Sequence, residues 1–141
     1  MDKRDIIKKR LGAKIISWEE TPTHKIYFGV KKEDILETAR LLFRELGLRF
    51  STASATDTPS GFEIIYHFVP DGEGQVYSVR LMLEDKKQAQ VDSLTPMFPG
   101  AEWIEREIWE MLGINFKNHP NLKRLLLAED WPEGDYPLRK G

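Results

Sequence analysis

The sequence predicts an α+β fold: an antiparallel or mixed sheet with helices packed on one face, followed by a further helix and an extended C-terminal tail. The predicted elements run helix, two strands, helix, three strands, an order that favours this class over a doubly wound parallel sheet. A length of 141 residues with 40% hydrophobic residues fits one compact domain. Long alternating runs end near residue 84, so we expect the remainder to form a separate layer.

The N-terminal segment is predicted to form a short helix and then a β-hairpin. Asp2 can cap the helix, because its carboxylate can accept a hydrogen bond from an otherwise unpaired N–H, and Gly12 suits the helix end. Strands are predicted over 14–19 and 24–30. The residues 20–23 between them favour a turn, so the two strands should pair.

The clearest helical pattern lies at 33–46, where apolar residues recur every three or four positions. Gly47 followed by the apolar Leu48 matches a left-handed helix end with its hydrophobic contact. The pattern therefore predicts an amphipathic helix that ends at Gly47.

Three strands are predicted next, over 48–56, 62–69 and 76–84, with apolar residues alternating in each. Proline, glycine and aspartate separate them at 57–61 and 70–74, and such residues interrupt strand pairing. We therefore expect a meander joined by two exposed loops.

The C-terminal third contains one predicted helix, over 101–112, ended by Gly113. Beyond it the pattern is irregular, with several prolines. We expect one domain over 1–141, in which 1–84 form the sheet core and 85–141 form the helix and a partner-binding tail.

Composition narrows the possible functions. The chain has no cysteine, which excludes disulfides, thiolate catalysis and cysteine-ligated iron–sulfur or zinc sites within these residues. A formal net charge of −2 gives no global field for binding nucleic acid. No run approaches the roughly 18 apolar residues typical of a membrane span, so we expect a soluble or peripherally attached chain. Membership of a membrane complex stays open, because another subunit can provide the anchor.

The histidines and glutamates favour structure over catalysis. His24, His67 and His119 lack the spacing of a metal site, and His119, which precedes Pro120, can fasten a loop or face a partner. Four glutamates lie on the last helix around Arg106, a pattern typical of a solvated, charged helix face unless some of them are buried. They are Glu102, Glu105, Glu107 and Glu110.

Aromatic and basic residues are dense from Trp103 onward, and two interpretations remain open. The tryptophans can attach a loosely structured tail to the sheet, or Trp and Arg can be anchors of a protein interface, where both are enriched. Irregular chain containing Pro132, Gly134 and Pro137 favours the interface, since such chain seldom orders without a surface to lie on.

Three ordered blocks resemble the thirty-kilodalton subunit family of respiratory complex I (NADH:quinone oxidoreductase), also called its C subunit. They are Glu105-Arg106-Glu107-Ile108-Trp109-Glu110-Met111-Leu112-Gly113-Ile114, Asn118-His119-Pro120-Asn121-Leu122-Lys123-Arg124-Leu125-Leu126, and Pro137-Leu138-Arg139-Lys140. Asn118 stands where the family usually has Gly, and Lys123 where it usually has Arg.

The resemblance implies a non-catalytic peripheral-arm subunit at the cytoplasmic face of the cell membrane. It would bind no cofactor and would scaffold a hydrogenase-like large subunit and an iron–sulfur small subunit during electron transfer coupled to ion translocation. The family has homologues in energy-converting membrane-bound [NiFe] hydrogenases and formate hydrogenlyases, so the same role there is the alternative, with nickel–iron chemistry in the partner. A freestanding small enzyme and an unrelated interaction module are the other hypotheses.

The resemblance also implies which residues hold a partner or fix loops, none of them a catalyst. They are Glu105, Arg106, Glu107, Trp109, His119, Pro120, Lys123, Arg124, Trp131, Pro137, Leu138, Arg139 and Lys140.

Overall fold

Within residues 2–123 and 131–140, which the computed structural model describes, the chain forms three α-helices and seven strands. The helices are α1 (Lys3–Leu11), α2 (Ile35–Arg40) and α3 (Glu102–Leu112). The strands are β1 (Ser17–Glu20), β2 (Lys25–Gly29), β3 (Arg49–Thr58), β4 (Gly61–Val69), β5 (Val76–Leu83), β6 (Gln90–Asp92) and β7 (Asn115–Lys117). The N-terminal helix is capped as predicted, since Asp2 accepts a hydrogen bond from the Arg4 amide at 3.0 Å.

Five strands form a mixed sheet in the order β1-β2-β5-β4-β3. The hairpin β1–β2 and the meander β3–β4–β5 are antiparallel, and β2 pairs with β5 in parallel. After β2 the chain passes through α2 to the far edge of the sheet and returns strand by strand. The predicted α+β class and mixed sheet are confirmed.

One face of this sheet carries the core. Alternate residues of β4 and β5 are at most 2% exposed: Phe62, Ile64, Tyr66, Phe68, Tyr77, Val79, Leu81 and Leu83. The intervening residues Glu63, Ile65 and His67 are only partly buried. Apolar residues of all three helices belong to the same buried cluster, including Ile7, Ile35 and Ile108. The strand periodicity thus predicted the buried face correctly.

The second helix is less regular than its pattern predicted. A 3-10 turn at Lys32–Asp34 precedes α2, and a π-helical turn at Leu41–Glu45 continues it. The predicted end is confirmed, because Gly47 has φ of +70° and the Leu48 amide donates to the carbonyl of Leu42 at 2.9 Å. This bond closes the helix in a Schellman-like manner.

Two sequence expectations are wrong. The loop 57–61 is not wholly exposed, because β3 runs to Thr58 and Asp57 is only 4% exposed. The C-terminal third contains two strands, since β6 and β7 pair in parallel. Each has three residues, too few to show an alternating pattern, so their pairing depends on tertiary contacts.

Candidate functional site

The C-terminal layer consists of residues 85–123 and 131–140. It contains every residue of the predicted partner-binding set that the structure describes. Its main helix, α3, follows a 3-10 turn at Pro99–Ala101 and ends at Gly113. The Gly113 amide donates to the carbonyl of Trp109 at 2.8 Å, and its φ of +78° is one that glycine adopts without strain. The predicted helix and its glycine stop are confirmed.

Charged residues of α3 are divided between the interior and the surface. Glu105, Arg106 and Glu110 are at most 4% exposed, whereas Glu107 is exposed. A uniformly solvated charged face is therefore wrong for this helix. Because burial of a charge is costly unless it is hydrogen-bonded, the partners of these buried groups define the site.

Glu105 organises the loop that precedes α3. Its Oε1 accepts hydrogen bonds from the hydroxyls of Ser93 at 2.6 Å and Thr95 at 2.7 Å, and its Oε2 accepts one from the Leu94 amide at 2.8 Å. Burial raises the pKa of Tyr66, and the Glu105 charge adds to that rise. Since both carboxylate oxygens are occupied by donors of this chain, Glu105 acts as a loop anchor.

His119 lies wholly inside the layer, with a side chain that has no solvent exposure. Its Nδ1 accepts from the Asn121 amide at 3.0 Å, so Nε2 carries the proton and donates to the carbonyl of Glu102 at 3.1 Å. This tautomer is assigned from the two backbone partners. The ring thereby attaches the loop after β7 to the start of α3, while Pro120 beside it is exposed.

Asn118 explains one departure from the family pattern. It adopts φ of +68°, in the left-handed region that glycine occupies most easily and that asparagine tolerates. Asparagine can therefore replace the usual glycine without changing the path of the loop.

Arg106 joins the loop to an exposed aromatic ring. Its Nε donates to the carbonyl of Lys123 at 3.1 Å, and its guanidinium lies 4.8 Å from the centre of the Trp103 ring. Trp103 is 57% exposed. Lys123 is exposed, and Arg124, the next residue predicted for the site, lies outside the described residues.

The tail crosses the end of α3. The Leu138 amide donates to the carbonyl of Met111 at 3.0 Å, and Arg139 Nε donates to that of Leu112 at 2.6 Å. The Arg139 guanidinium also lies 5.0 Å from the Phe62 ring and 4.7 Å from the Tyr136 ring. These contacts satisfy carbonyls that a helix end leaves unpaired.

Asp57 holds the last described residue of the tail. Its Oδ2 accepts from the Lys140 amide at 2.6 Å, and its Oδ1 lies 2.5 Å from the ammonium of Lys86. Hydrogen bonding to Lys86, and then to the Lys140 amide, holds the pKa of Asp57 below its ordinary value. Sequence reasoning missed Asp57 because a turn-like Asp-Thr-Pro-Ser-Gly run concealed it.

Two further tail residues lie near α3. Trp131 Nε1 donates to the carbonyl of Asp135 at 2.7 Å, and the loop it closes borders a cavity of about 290 Å³ against Trp109 and Glu110. Pro137 and Leu138 are exposed, and Leu138 also borders a groove of about 230 Å³ between β3 and α3.

The layer therefore brings together Glu105 with His119, whose Oε1 and Nε2 lie 3.9 Å apart, and Arg139 with the end of α3. It leaves Glu107 exposed. Ser93 and Thr95 carried no sequence signal, since serine and threonine at these positions are ordinary loop residues until a carboxylate is folded against them.

The other histidines are apart from this layer. His24 has φ of +60° in the β1–β2 turn, and His67 Nδ1 lies 2.8 Å from the hydroxyl of Ser78. Burial lowers the pKa of His67. Across residues 2–123 and 131–140 no group of three or more His, Asp or Glu could hold a metal ion. In the same ranges no helix has the length and apolarity needed to cross a membrane.

The fold of this chain is shared by chains in two solved structures. It matches a chain in the structure of the membrane-bound sulfane sulfur reductase, an archaeal respiratory membrane complex, with a TM-score of 0.82 and 22% identity over 96% of this chain and 82% of that one. It also matches the trypsin-resistant fragment of Nqo5, with a TM-score of 0.71 and 20% identity over 86% of this chain and 100% of that one.

The chain belongs to the respiratory-chain NADH dehydrogenase 30 Kd subunit family, whose model matches residues 28–141. It is 38% identical over 115 residues to the C subunit of the NADH-quinone oxidoreductase of Citrifermentans bemidjiense, covering 79% of this chain and 70% of the relative. It is 33% identical over 132 residues to the same subunit of Ruegeria pomeroyi, covering 89% and 64%. The matched part of the C/D subunit of Yersinia pestis is 24% of that protein. The family resemblance is confirmed.

Proposed function

We propose that this chain is a non-catalytic structural subunit in the peripheral arm of a complex I-like quinone oxidoreductase. It would hold a hydrogenase-like large subunit against an iron–sulfur small subunit during electron transfer coupled to ion translocation, at the cytoplasmic face of the membrane. Family membership supports the type of complex. The exposed Trp103, stacked on a buried arginine, is the observation that carries the scaffold role.

The buried polar side chains Glu105 and His119 support a structural role. Both oxygens of Glu105 accept hydrogen bonds from the loop at 93–95, and both ring nitrogens of His119 contact backbone groups. A general acid or base must reach a substrate proton, and these groups are directed into the chain itself. The iron–sulfur clusters of such a complex, and any nickel–iron centre, are then assigned to partner subunits.

The exposed residues support an interface on the C-terminal layer. Trp103 and Leu138 are 57% and 56% exposed. Trp103 belongs to α3 and its ring lies beside the Arg106 guanidinium, while the Leu138 amide donates to the carbonyl of Met111 on the same helix. An aromatic ring fixed by arginine is a typical interface anchor, because little side-chain entropy remains to be lost on binding. We therefore propose that 1–84 supply the sheet core and 85–141 contact the partners.

The sulfane sulfur reductase match favours a second candidate, the same scaffold role in a complex with another donor or acceptor. That chain aligns with 96% of this one at the higher TM-score of the two structures. The branch that includes energy-converting [NiFe] hydrogenases and formate hydrogenlyases is the corresponding alternative.

Affinity capture from detergent-solubilised membranes of the native organism tests the scaffold role. The tagged full chain should recover a hydrogenase-like large subunit and an iron–sulfur subunit in native mass spectrometry. Iron without nickel would favour the quinone reductase, and nickel the hydrogenase branch. Recovery of a lone, metal-free chain would contradict the proposal.

A matched pair of variants locates the interface. Trp103→Ala should lower the recovery of partners by about tenfold, since loss of an anchor residue commonly costs more than 1 kcal/mol. Ile16→Ala is the control, because Ile16 is 64% exposed and lies before β1, outside the C-terminal layer. Equal recovery by both variants would remove Trp103 from the interface.

A further inference from the structure

Two arginines of the second helical segment differ from the other arginines that the structure describes. Arg4, Arg10, Arg49 and Arg80 form ion pairs, and Arg106 and Arg139 donate to carbonyls. Within the described ranges, the side chains of Arg40 and Arg44 form no hydrogen bond or ion pair, and both residues are exposed.

The acidic residues nearest to these arginines in sequence are occupied by cations from the N-terminal segment. Glu37 pairs with Lys14 at 2.5 Å, and Glu45 accepts two hydrogen bonds from Arg10 at 2.7 and 2.9 Å. Two like charges four residues apart repel each other along a helix. The side chains of Arg40 and Arg44 are thus left without an ion-pair partner among the described residues.

Both arginines border a cavity of about 310 Å³, which we call the arginine cavity. Leu36 and Met97 supply apolar walls, and Asn118 borders it with a side-chain amide that forms no hydrogen bond among the described residues. Asp92 also borders the cavity, and its Oδ1 lies 4.0 Å from the ammonium of Lys117.

One wall of this cavity is fixed by the family block on α3. Ser93 borders the arginine cavity and donates its hydroxyl to the buried Glu105 at 2.6 Å. The loop continues through a turn in which the amide of Met97 donates to the carbonyl of Leu94 at 3.0 Å. The cavity is therefore preorganised by two elements, the helical segment and the Glu105-anchored loop.

We infer that the arginine cavity binds an acidic peptide segment of a partner subunit. Guanidinium groups form paired, charge-assisted hydrogen bonds with carboxylates. The apolar walls and the amide of Asn118 suit a peptide that carries an apolar side chain beside its carboxylate. This inference rests on the proposed scaffold role and adds the chemistry of one contact to it.

A membrane surface fits this cavity less well. Binding to anionic lipid requires a face of predominantly positive charge, whereas Glu37, Glu45 and Asp92 lie around the two arginines. A small anion such as phosphate would leave the apolar walls of Leu36 and Met97 without a contact. The mixed lining therefore favours a peptide.

Binding to the purified full chain tests the chemistry directly. The probe is an end-blocked hexapeptide of alternating Glu and Leu, and the corresponding Gln–Leu hexapeptide is its control. Binding of each peptide is measured from the changes in the amide chemical shifts of the protein. The Glu peptide should shift the amide signals of Ser93 and Asn118. The double variant Arg40→Gln with Arg44→Gln should bind this peptide at least about tenfold more weakly. Lys3→Gln with Lys9→Gln removes the same charge from exposed positions of α1 and should leave binding unchanged.

Three results would overturn the inference: no shift with the Glu peptide, equal binding of the Gln peptide, or shifts at the cavity only with phosphate or phosphatidylglycerol vesicles.

The affinity capture from solubilised membranes separates this inference from the proposed function. If the wild-type chain recovers its partner subunits and the arginine double variant recovers them equally well, the acidic contact is refuted and the scaffold role stands. If the Glu peptide binds at the cavity but capture yields a lone chain, the scaffold role fails and the acidic-peptide site stands.

Discussion

The sheet and the C-terminal layer are stabilised by different interactions. Along β4 and β5 most buried side chains are apolar, and the core is explained by their alternation and by the apolar area they remove from water. In the C-terminal layer, buried polar groups such as Glu105 and His119 hold loops by hydrogen bonds to the same chain, and Asp57 near the end of β3 holds the tail in the same way. From this difference we infer that the family blocks, where the structure describes them, form their surface by holding irregular segments in place with hydrogen bonds to the same chain.

Truncation of the sheet core should give the largest loss of stability. Phe68 has no exposure and contacts the rings of Phe50 and Phe98 at 5.7 and 6.0 Å, so Phe68→Ala should cost about 3–5 kcal/mol. Denaturant unfolding measures it, with Ile16→Ala expected within about 0.5 kcal/mol of wild type. A loss below about 1 kcal/mol would mean that the sheet core collapses around the cavity.

Removal of the buried carboxylate should have the next largest effect. Glu105→Ala leaves the hydroxyls of Ser93 and Thr95 and the amide of Leu94 without their acceptor, at an expected cost of about 2–4 kcal/mol. Glu107→Ala, on the exposed side of α3, should cost less than about 0.5 kcal/mol. The same unfolding measurement compares them, and similar losses for both variants would contradict the anchor role of Glu105.

Substitution of one glycine in each region allows the ends of their helical segments to be compared. Gly47 and Gly113 have φ of +70° and +78°, but only at Gly113 would a Cβ meet the tail, 2.5 Å from Tyr136 Cε2. Gly47→Ala should cost about 1 kcal/mol from backbone strain alone. Gly113→Ala should cost about 2–3 kcal/mol, because it also displaces Tyr136.

Thermal unfolding, with amide shifts of the tail, distinguishes the two glycine variants. The Gly113 variant should shift the amides of Leu138 and Arg139, and the Gly47 variant should leave them in place. Equal losses of stability without tail shifts would show that the tail contact at Gly113 adds nothing.

Acidification should have the smallest effect of the changes considered, and this effect should be confined to the tail. The pKa of Asp57 lies below its ordinary value of 3.8 in the folded chain, so its contribution is fully present above that value and is lost as the pH falls through the lowered pKa. We expect ¹⁵N relaxation to show a more mobile Lys140 amide as the pH falls from about 5 to about 2, while β4 stays rigid. Asp57→Asn should remove this pH step, and Glu84→Gln should keep it. A pH step retained in Asp57→Asn would assign the transition to another group.

Much of the fold could be predicted because the strands carry their own signals. The alternation of apolar residues predicted β4 and β5. Gly47 and Gly113 predicted where the helical segment containing α2 and the helix α3 end. The strands β6 and β7 could not be predicted, since three residues carry no period and their parallel pairing joins segments 25 residues apart, Gln90 to Asn115. The burial of Asp57 was likewise hidden, because its partners Lys86 and Lys140 are distant in sequence.

The α+β class, the helix stops and the family follow from the sequence, because apolar periodicity, glycine at left-handed positions and ordered motif blocks are local properties of the chain. The folded chain was needed to show which charges are buried, that Arg139 closes the end of α3, and that Arg40 and Arg44 share a cavity with Asn118. The physical reason is that a charged side chain takes its role from its desolvation and its partner, and both are set by residues brought together from distant parts of the chain.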